Sequence, residues 1–265
     1  MKFTTLSASL LVKRAVECIS LFLLVCAAPS CNERAAKSDS STKRSRDGDA
    51  VQRADPTVRG LIVILGSSTA AGIGPKDPDN SWAARYRAHL ATRFPMVTLV
   101  NLAVGGLTTY EVQPTGYVPP ANRPAPMEGK NITAALRLNP RAIIVNLPSN
   151  DQANNYPLAE QLENYDRLAS SARKARAALW VSTSQPRNFG DPAQLAELLK
   201  MRDAIAKKFA PRTLDFWAPF ASENGFIKAK YNAGDGTHLN DAAHAILAEV
   251  VESARIPEQF NATPD

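Results

Sequence analysis

The sequence of 265 residues predicts an α/β domain, a three-layer α/β/α sandwich with a mainly parallel sheet. Three observations carry that prediction. Short, continuous, β-branched apolar runs recur along the chain, the pattern of strands covered on both faces. Stretches with apolar residues at helical spacing separate them. The runs end in loops of glycine, serine and asparagine, and this alternation selects parallel strands joined by right-handed crossovers.

Taken in order, the first strand is Leu61-Ile62-Val63-Ile64-Leu65. It opens into Gly66-Ser67-Ser68-Thr69-Ala70-Ala71-Gly72-Ile73-Gly74, small residues that permit a sharp turn and a close approach. Trp82, Tyr86, Leu90 and Phe94 recur every fourth residue and predict a helix with one buried face. The second strand, Met96 to Asn101, runs into Ala103-Val104-Gly105-Gly106-Leu107-Thr108. From Gln113 to Met127, with Tyr117, Asn122 and Arg123, the chain is proline-rich and without period, which predicts a long loop that lines or covers a site. The third strand, Arg141 to Leu147, leads into Pro148-Ser149-Asn150-Asp151. Leu158, Leu162, Tyr165 and Leu168 mark the next helix, Leu179 to Thr183 the fourth strand, and Leu195, Leu198, Leu199, Ile205 and Phe209 a further helix. A strand at Thr213 to Phe216 and a helix carrying Ile246, Leu247, Val250 and Val251 complete the domain.

The domain is expected over 59–257, with a tail at 258–265, a size that buries a substantial core. Ahead of it, Lys2, Lys13 and Arg14 precede an apolar segment, Cys18 to Ala28, which is too short to span a bilayer but suits a secretory leader over 1–31. It ends in Ala28-Pro29-Ser30-Cys31, which resembles a bacterial lipobox with Cys31 as the lipidated residue; cleavage after Ser30 satisfies the small-x-small rule equally. Both readings export the protein, to the periplasm or beyond, and the first anchors it to a membrane. Residues 32–58 are polar and of mixed charge, which predicts a disordered tether. The cysteines Cys18, Cys26 and Cys31 all lie in the leader, so the domain itself gains nothing from disulfides. The net charge of +6 is spread over leader, tether and domain. Basic residues near Lys43 are interspersed with acidic ones and lack aromatic company, which argues against a nucleic-acid partner.

The chain has three histidines. His89 and His244 fall in helical runs, where a surface or half-buried structural role is the plain reading. His238 lies in the loop Gly234-Asp235-Gly236-Thr237-His238-Leu239-Asn240, three residues after Asp235. A carboxylate that orients an imidazole, and an imidazole that takes a proton from serine, are the parts of an acyl-transfer site. The structural alternative is a turn closed by Asp235 and a helix capped by Asn240. In open α/β sheets a site gathers at the carboxyl ends of the strands, where the loops carrying Ser68, Gly106 and Asn150 also lie.

These blocks resemble the SGNH, or GDSL, hydrolases. The Gly-Asp-Ser block is similar to Gly66-Ser67-Ser68, the glycine block to Asn101 through Gly106, the Gly-x-Asn-Asp block to Pro148 through Asp151, and the Asp-x-x-His block to Asp235 through His238. All four appear in the family's order, spanning about residues 60 to 253. Ser67 replaces the family's aspartate, and Pro148 its glycine. The resemblance implies the family's flavodoxin-like fold. It implies Ser68 as nucleophile, His238 as general base, Asp235 as its orienting carboxylate, and an oxyanion site made by the N–H of Ser68, the N–H of Gly106 and the side-chain amide of Asn150.

Arg187 and Asn188 follow the fourth strand and are candidates for binding polar groups of a substrate. Gly72-Ile73-Gly74 lacks the third glycine of a dinucleotide loop, and no lysine-serine pair follows for a nucleotide phosphate. No paired histidine or cysteine spacing predicts a metal, so no cofactor is expected. The expected activity is a serine esterase on short-chain or acetyl esters of carbohydrates. The alternatives are a lipid-ester or thioester hydrolase using the same residues, and a glycan-binding relative without turnover.

Overall fold

The structure, a computed structural model, describes residues 53–147 and 149–260. The predicted leader, Cys31, most of the tether, Pro148 and residues 261–265 lie outside the described residues.

Parallel strands β1 (Gly60–Gly66), β2 (Val97–Asn101), β3 (Ala142–Asn146), β4 (Ala178–Ser182) and β5 (Thr213–Leu214) form one sheet in the order β2-β1-β3-β4-β5. This is the flavodoxin-like order, in which the switch of direction falls between β1 and β3 and opens a crevice at their carboxyl ends. Between the strands run α1 (Ser68–Ala71), α2 (Trp82–Arg93), α3 (Ile132–Arg137), α4 (Asn150–Ala153), α5 (Leu158–Lys174) and α6 (Pro192–Lys208), and α7 (Asp241–Ser253) follows the last strand.

The unbroken apolar runs have a plain cause in this architecture. Side chains alternate across a strand, and both faces of the sheet are covered. Ile62, Ile64, Ile144 and Trp180 pack with Trp82, Tyr86 and Leu90 of α2 and Leu247 and Val251 of α7. Val63, Leu65, Ile143, Val145 and Val181 face the other way, onto Ile132 and Ala135 of α3, Tyr165 and Leu168 of α5, and Met201 and Ile205 of α6. The four predicted residues Trp82, Tyr86, Leu90 and Phe94 are all buried.

Several expectations are refined. The fifth strand stops at Leu214, because Asp215 turns the chain: its Oδ1 accepts from the N–H groups of Trp217 and Ala218. Phe260 is buried over Gly60, so the packed region extends beyond residue 257. The short helix α3, capped by the Asn131 side chain, was not visible as a periodic run because it has only six residues. The long aperiodic loop has no helix or strand over 113–127. It is tied both to α5, where Arg123 pairs with Glu160 at 2.8 Å and the Tyr117 hydroxyl accepts from Arg167, and to α3, where the Thr115 N–H donates to the Thr133 hydroxyl.

His244 is the larger correction. It is fully buried, and its Nδ1 accepts a hydrogen bond of 3.1 Å from the backbone N–H of Trp82, one of the unpaired donors at the start of α2. An acceptor nitrogen must be unprotonated, and burial is the main cause that lowers the ring from its usual 6.5 to about 4; Asp241 opposes that shift, while Arg85 and His238 add to it. The sign follows from linkage. The unfolded chain takes up the proton at higher pH than the folded one, so this stabilisation is complete above pH 6.5 and is lost as pH falls toward 4. The full effect is about 3 kcal/mol at roughly 1.4 kcal/mol per unit. Burial shifts Asp151 in the opposite sense, up to about 6, so the wild-type curve alone mixes the two. Urea unfolding of wild type and His244→Asn between pH 7 and 4.5 separates them, because Asp151 is common to both proteins. Wild type is expected to lose about 2–3 kcal/mol more than the variant over that range; parallel curves would refute the assignment.

Candidate active site

The serine side of the crevice is built at the end of β1. Gly66 passes under the Asn146 carbonyl with no room for a side chain, and Ser67 then donates its N–H to the same carbonyl. Ser67 is fully buried, and its Oγ accepts from Asn150 Nδ2 at 2.7 Å. Ser68 opens the short helix α1 and retains 7% of its exposure. The two adjacent serines therefore differ: Ser67 Oγ is sealed and committed to Asn150, whereas Ser68 keeps a small exposure and no described residue hydrogen-bonds its side chain. Asn101 ties this helix to the end of β2, its Nδ2 donating to the Ala70 carbonyl at 2.7 Å.

Gly105 and Gly106 come from the turn after β2. A side chain on Gly105 would strike Ile73 and approach the Ser68 Cβ at 3.9 Å, so its absence keeps that flank of Ser68 open. Gly106 has φ +88°, a left-handed turn conformation that favours glycine, with open space around it.

Asn150 is the first residue of α4, and its side chain does not cap that helix. One amide hydrogen goes to Ser67 Oγ, the other to the Leu107 carbonyl at 2.9 Å. Asp151 beside it is buried and accepts from the N–H and hydroxyl of Thr109, the latter at 2.6 Å. Together these bonds clamp the turn after β2 onto the turn after β3.

The histidine loop combines both readings of its sequence. Asp235 Oδ1 accepts from the N–H groups of Thr237 and His238, which closes the turn, while Oδ2 meets His238 Nδ1 at 2.6 Å. Partial burial alone would raise the Asp235 carboxyl, but bonds from the His238 backbone and ring, with that from Thr237, outweigh it and bring it to about 2. Asp235 is thus ionised at neutral pH, and its bond to Nδ1 fixes the tautomer that leaves Nε2 free to accept a proton. Asn240 caps α7 through the Ala243 N–H, as the structural alternative required.

Two devices that the sequence did not single out hold this loop against the serine helix. Gln185, buried after β4, accepts from the Thr69 hydroxyl at 2.7 Å and donates to the Thr237 carbonyl at 2.7 Å. Gly74, at φ +123°, passes the loop so closely that an added Cβ would lie 2.1 Å from the Leu239 carbonyl oxygen and 3.3 Å from His238 Cβ. Gly74 thus serves to seat His238, while Gly72 lies against Ser81. Ser68 makes no hydrogen bond to His238, and catalytic hydrogen bonds of this kind often tighten only when substrate is bound.

Of the residues predicted to bind substrate, Asn188 is partly occupied. Its N–H donates to the Gly236 carbonyl and its Oδ1 accepts from the Ile227 N–H, so it braces the histidine loop. Arg187 donates to Ser149 Oγ at 3.3 Å, stacks on Phe189 and feels the charge of Asp235, whose neighbour Gly236 is bonded to the adjoining Asn188 N–H. A concavity of about 540 Å³ lies elsewhere, lined by the last turns of α2 and α7 with Pro257 and Glu258. Those turns stand at the opposite end of the sheet, because the helices run antiparallel to the strands.

A parallel sheet of this order, with an oriented aspartate–histidine pair and a serine at the head of the first helix, is that of an α/β enzyme that hydrolyses esters. The chain belongs to the GDSL-like lipase/acylhydrolase family, whose model matches residues 64–246. No curated protein matches it. Among solved structures, it is similar to an acetyl xylan esterase, AlAXEase, at 15% identity and TM-score 0.56 over 73% of this chain and 98% of that one. It is similar to TesA at 21% identity and TM-score 0.52, covering 73% and 97%. A two-domain esterase active on acetylated mannans matches at 19% identity and TM-score 0.51 over 77% of this chain and 49% of that one.

Proposed function

We propose that the protein is an exported esterase that removes acetyl and other short acyl groups from carbohydrates through an acyl-enzyme on Ser68. The observation that carries this reading is the Asp235–His238 pair, held at 2.6 Å and seated against the Ser68 helix. In the first half-reaction the Ser68 hydroxyl attacks the ester carbonyl and its proton passes to His238 Nε2. The tetrahedral oxyanion is held by the N–H groups of Ser68 and Gly106 and by the Asn150 amide. Collapse expels the alcohol, which takes the proton from His238. Water, deprotonated by the same imidazole, then releases the carboxylic acid and restores Ser68.

The acetylated-glycan esterases among its structural neighbours support the substrate class, as does the predicted leader, which would bring the domain to glycans outside the cytoplasm. Residues 53–260, assayed on p-nitrophenyl esters of increasing chain length and on acetylated xylan and mannan, test the reading. The expected result is fastest turnover of the acetyl ester and release of acetate from glycan. A rate that climbs with acyl length would move the protein to lipid or thioester substrates.

A further inference from the structure

Beside the histidine loop stands a cation that no described carboxylate neutralises. Arg187 is half-buried, and among the described residues no carboxylate is in ion-pair range of its guanidinium. Its one recorded hydrogen bond is a long one, 3.3 Å from Nη1 to Ser149 Oγ, and its guanidinium carbon lies 4.9 Å from the centre of the Phe189 ring. Asp235 is the acid whose field reaches it. That carboxylate is fully engaged, one oxygen on the His238 ring and the other on two backbone N–H groups.

Placement matters as much as charge. Ser149 immediately precedes Asn150, and Asp235 carries His238, so the guanidinium sits between the two loops that face the scissile bond. Burial works against a charged group there, and the guanidinium is held below its usual range, although arginine keeps its proton at any physiological pH. A planar fork of donors that is stacked, preorganised and unpaired fits a carboxylate in bidentate fashion. A purely structural arginine in such a place normally has its counter-ion beside it.

Resting on the esterase reading, we propose that Arg187 selects esters that carry a carboxylate close to the scissile bond, as on an acetylated acidic sugar. The group is recognised by its charge and planarity, whether it belongs to the alcohol or to the acyl part.

The test compares kcat/KM for acetylated methyl glucuronide and acetylated methyl glucoside, which differ in the carboxylate on the alcohol. A second pair, 4-methylumbelliferyl hemisuccinate and butyrate, places the carboxylate on the acyl side. Wild type is expected to favour the charged member of one pair by about tenfold or more, carried in KM, with the preference shrinking as salt is added. In Arg187→Gln the ratio within that pair should collapse toward one, whatever common factor the variant costs both substrates. A wild-type ratio near one in both pairs, or a ratio that survives Arg187→Gln, overturns the proposal. Should the variant fail to fold, wild type alone decides: glucuronate must inhibit hydrolysis of the neutral ester competitively, and glucose must not. If wild type turns over no ester, the esterase reading fails separately, and calorimetric titration with glucuronate then decides whether Arg187 holds a carboxylate. Binding supports the anion site and no binding refutes it.

Discussion

Ser68→Ala is expected to remove ester hydrolysis by about 10⁴-fold or more, and His238→Ala to match it, since serine and histidine act as one unit. Ser67→Ala is expected to keep turnover at roughly a tenth of wild type, the loss that follows from one net hydrogen bond to a neighbouring group. The contrast rests on geometry. Ser67 Oγ is sealed from solvent and accepts from Asn150, whereas Ser68, the first residue of the helix, keeps a small exposure and no described residue hydrogen-bonds its side chain. Initial rates on p-nitrophenyl acetate, with the site of acylation mapped by mass spectrometry of the trapped enzyme, check it. Activity in Ser68→Ala together with its loss in Ser67→Ala would shift the nucleophile by one residue and dismantle the site as described.

Asn150→Ala carries the second largest expected effect, a fall in kcat of about 100-fold with KM nearly unmoved, the cost of one oxyanion donor. Both amide hydrogens of Asn150 are already engaged, by Ser67 and by the Leu107 carbonyl, so the amide reaches a forming oxyanion by sharing one of them. Sharing couples the two residues. Once Asn150 is gone Ser67 has nothing left to hold, so the double variant Ser67→Ala/Asn150→Ala should be no slower than Asn150→Ala alone. Multiplied losses would mean that Ser67 acts on the reaction by another route. Thermal unfolding of each variant separates a lost donor from a loosened turn, because Asn150→Ala also leaves the Leu107 carbonyl without its partner.

Much of the layered fold was legible because burial on both faces of a parallel strand leaves a local mark. Leu61 to Leu65 and Arg141 to Leu147 could scarcely be read otherwise, and the every-fourth spacing of Trp82, Tyr86, Leu90 and Phe94 gave one face of α2. The elements missed were short ones, such as α3, and the fifth strand was placed too long, because six residues or two hold too little periodicity to read. His244 escaped for a different reason. A histidine in an apolar helix looks alike whether its ring ends at the surface or against a backbone N–H, and only the packing of α7 on α2 brings Trp82 to it.

The candidate site divides along the same line. Asp235 and His238 are three residues apart, so one turn suffices to join them, and the sequence by itself determined that pair along with the strand ends that carry Ser68, Gly106 and Asn150. What only the tertiary structure decided is everything that joins separate loops. Gln185 lies 116 residues from Thr69 and 52 from Thr237, yet it bridges them. Ser67 meets Asn150 across 83 residues, and Gly74 is a glycine because a carbonyl 165 positions later occupies the space of a side chain. Among the described residues Arg187 has no counter-ion, because Asp235, the acid whose charge reaches it, is already committed to His238. Hydrogen bonds and steric exclusion of this kind act between atoms that the parallel sheet brings together, and residue types along the chain do not encode them until the strand order is set.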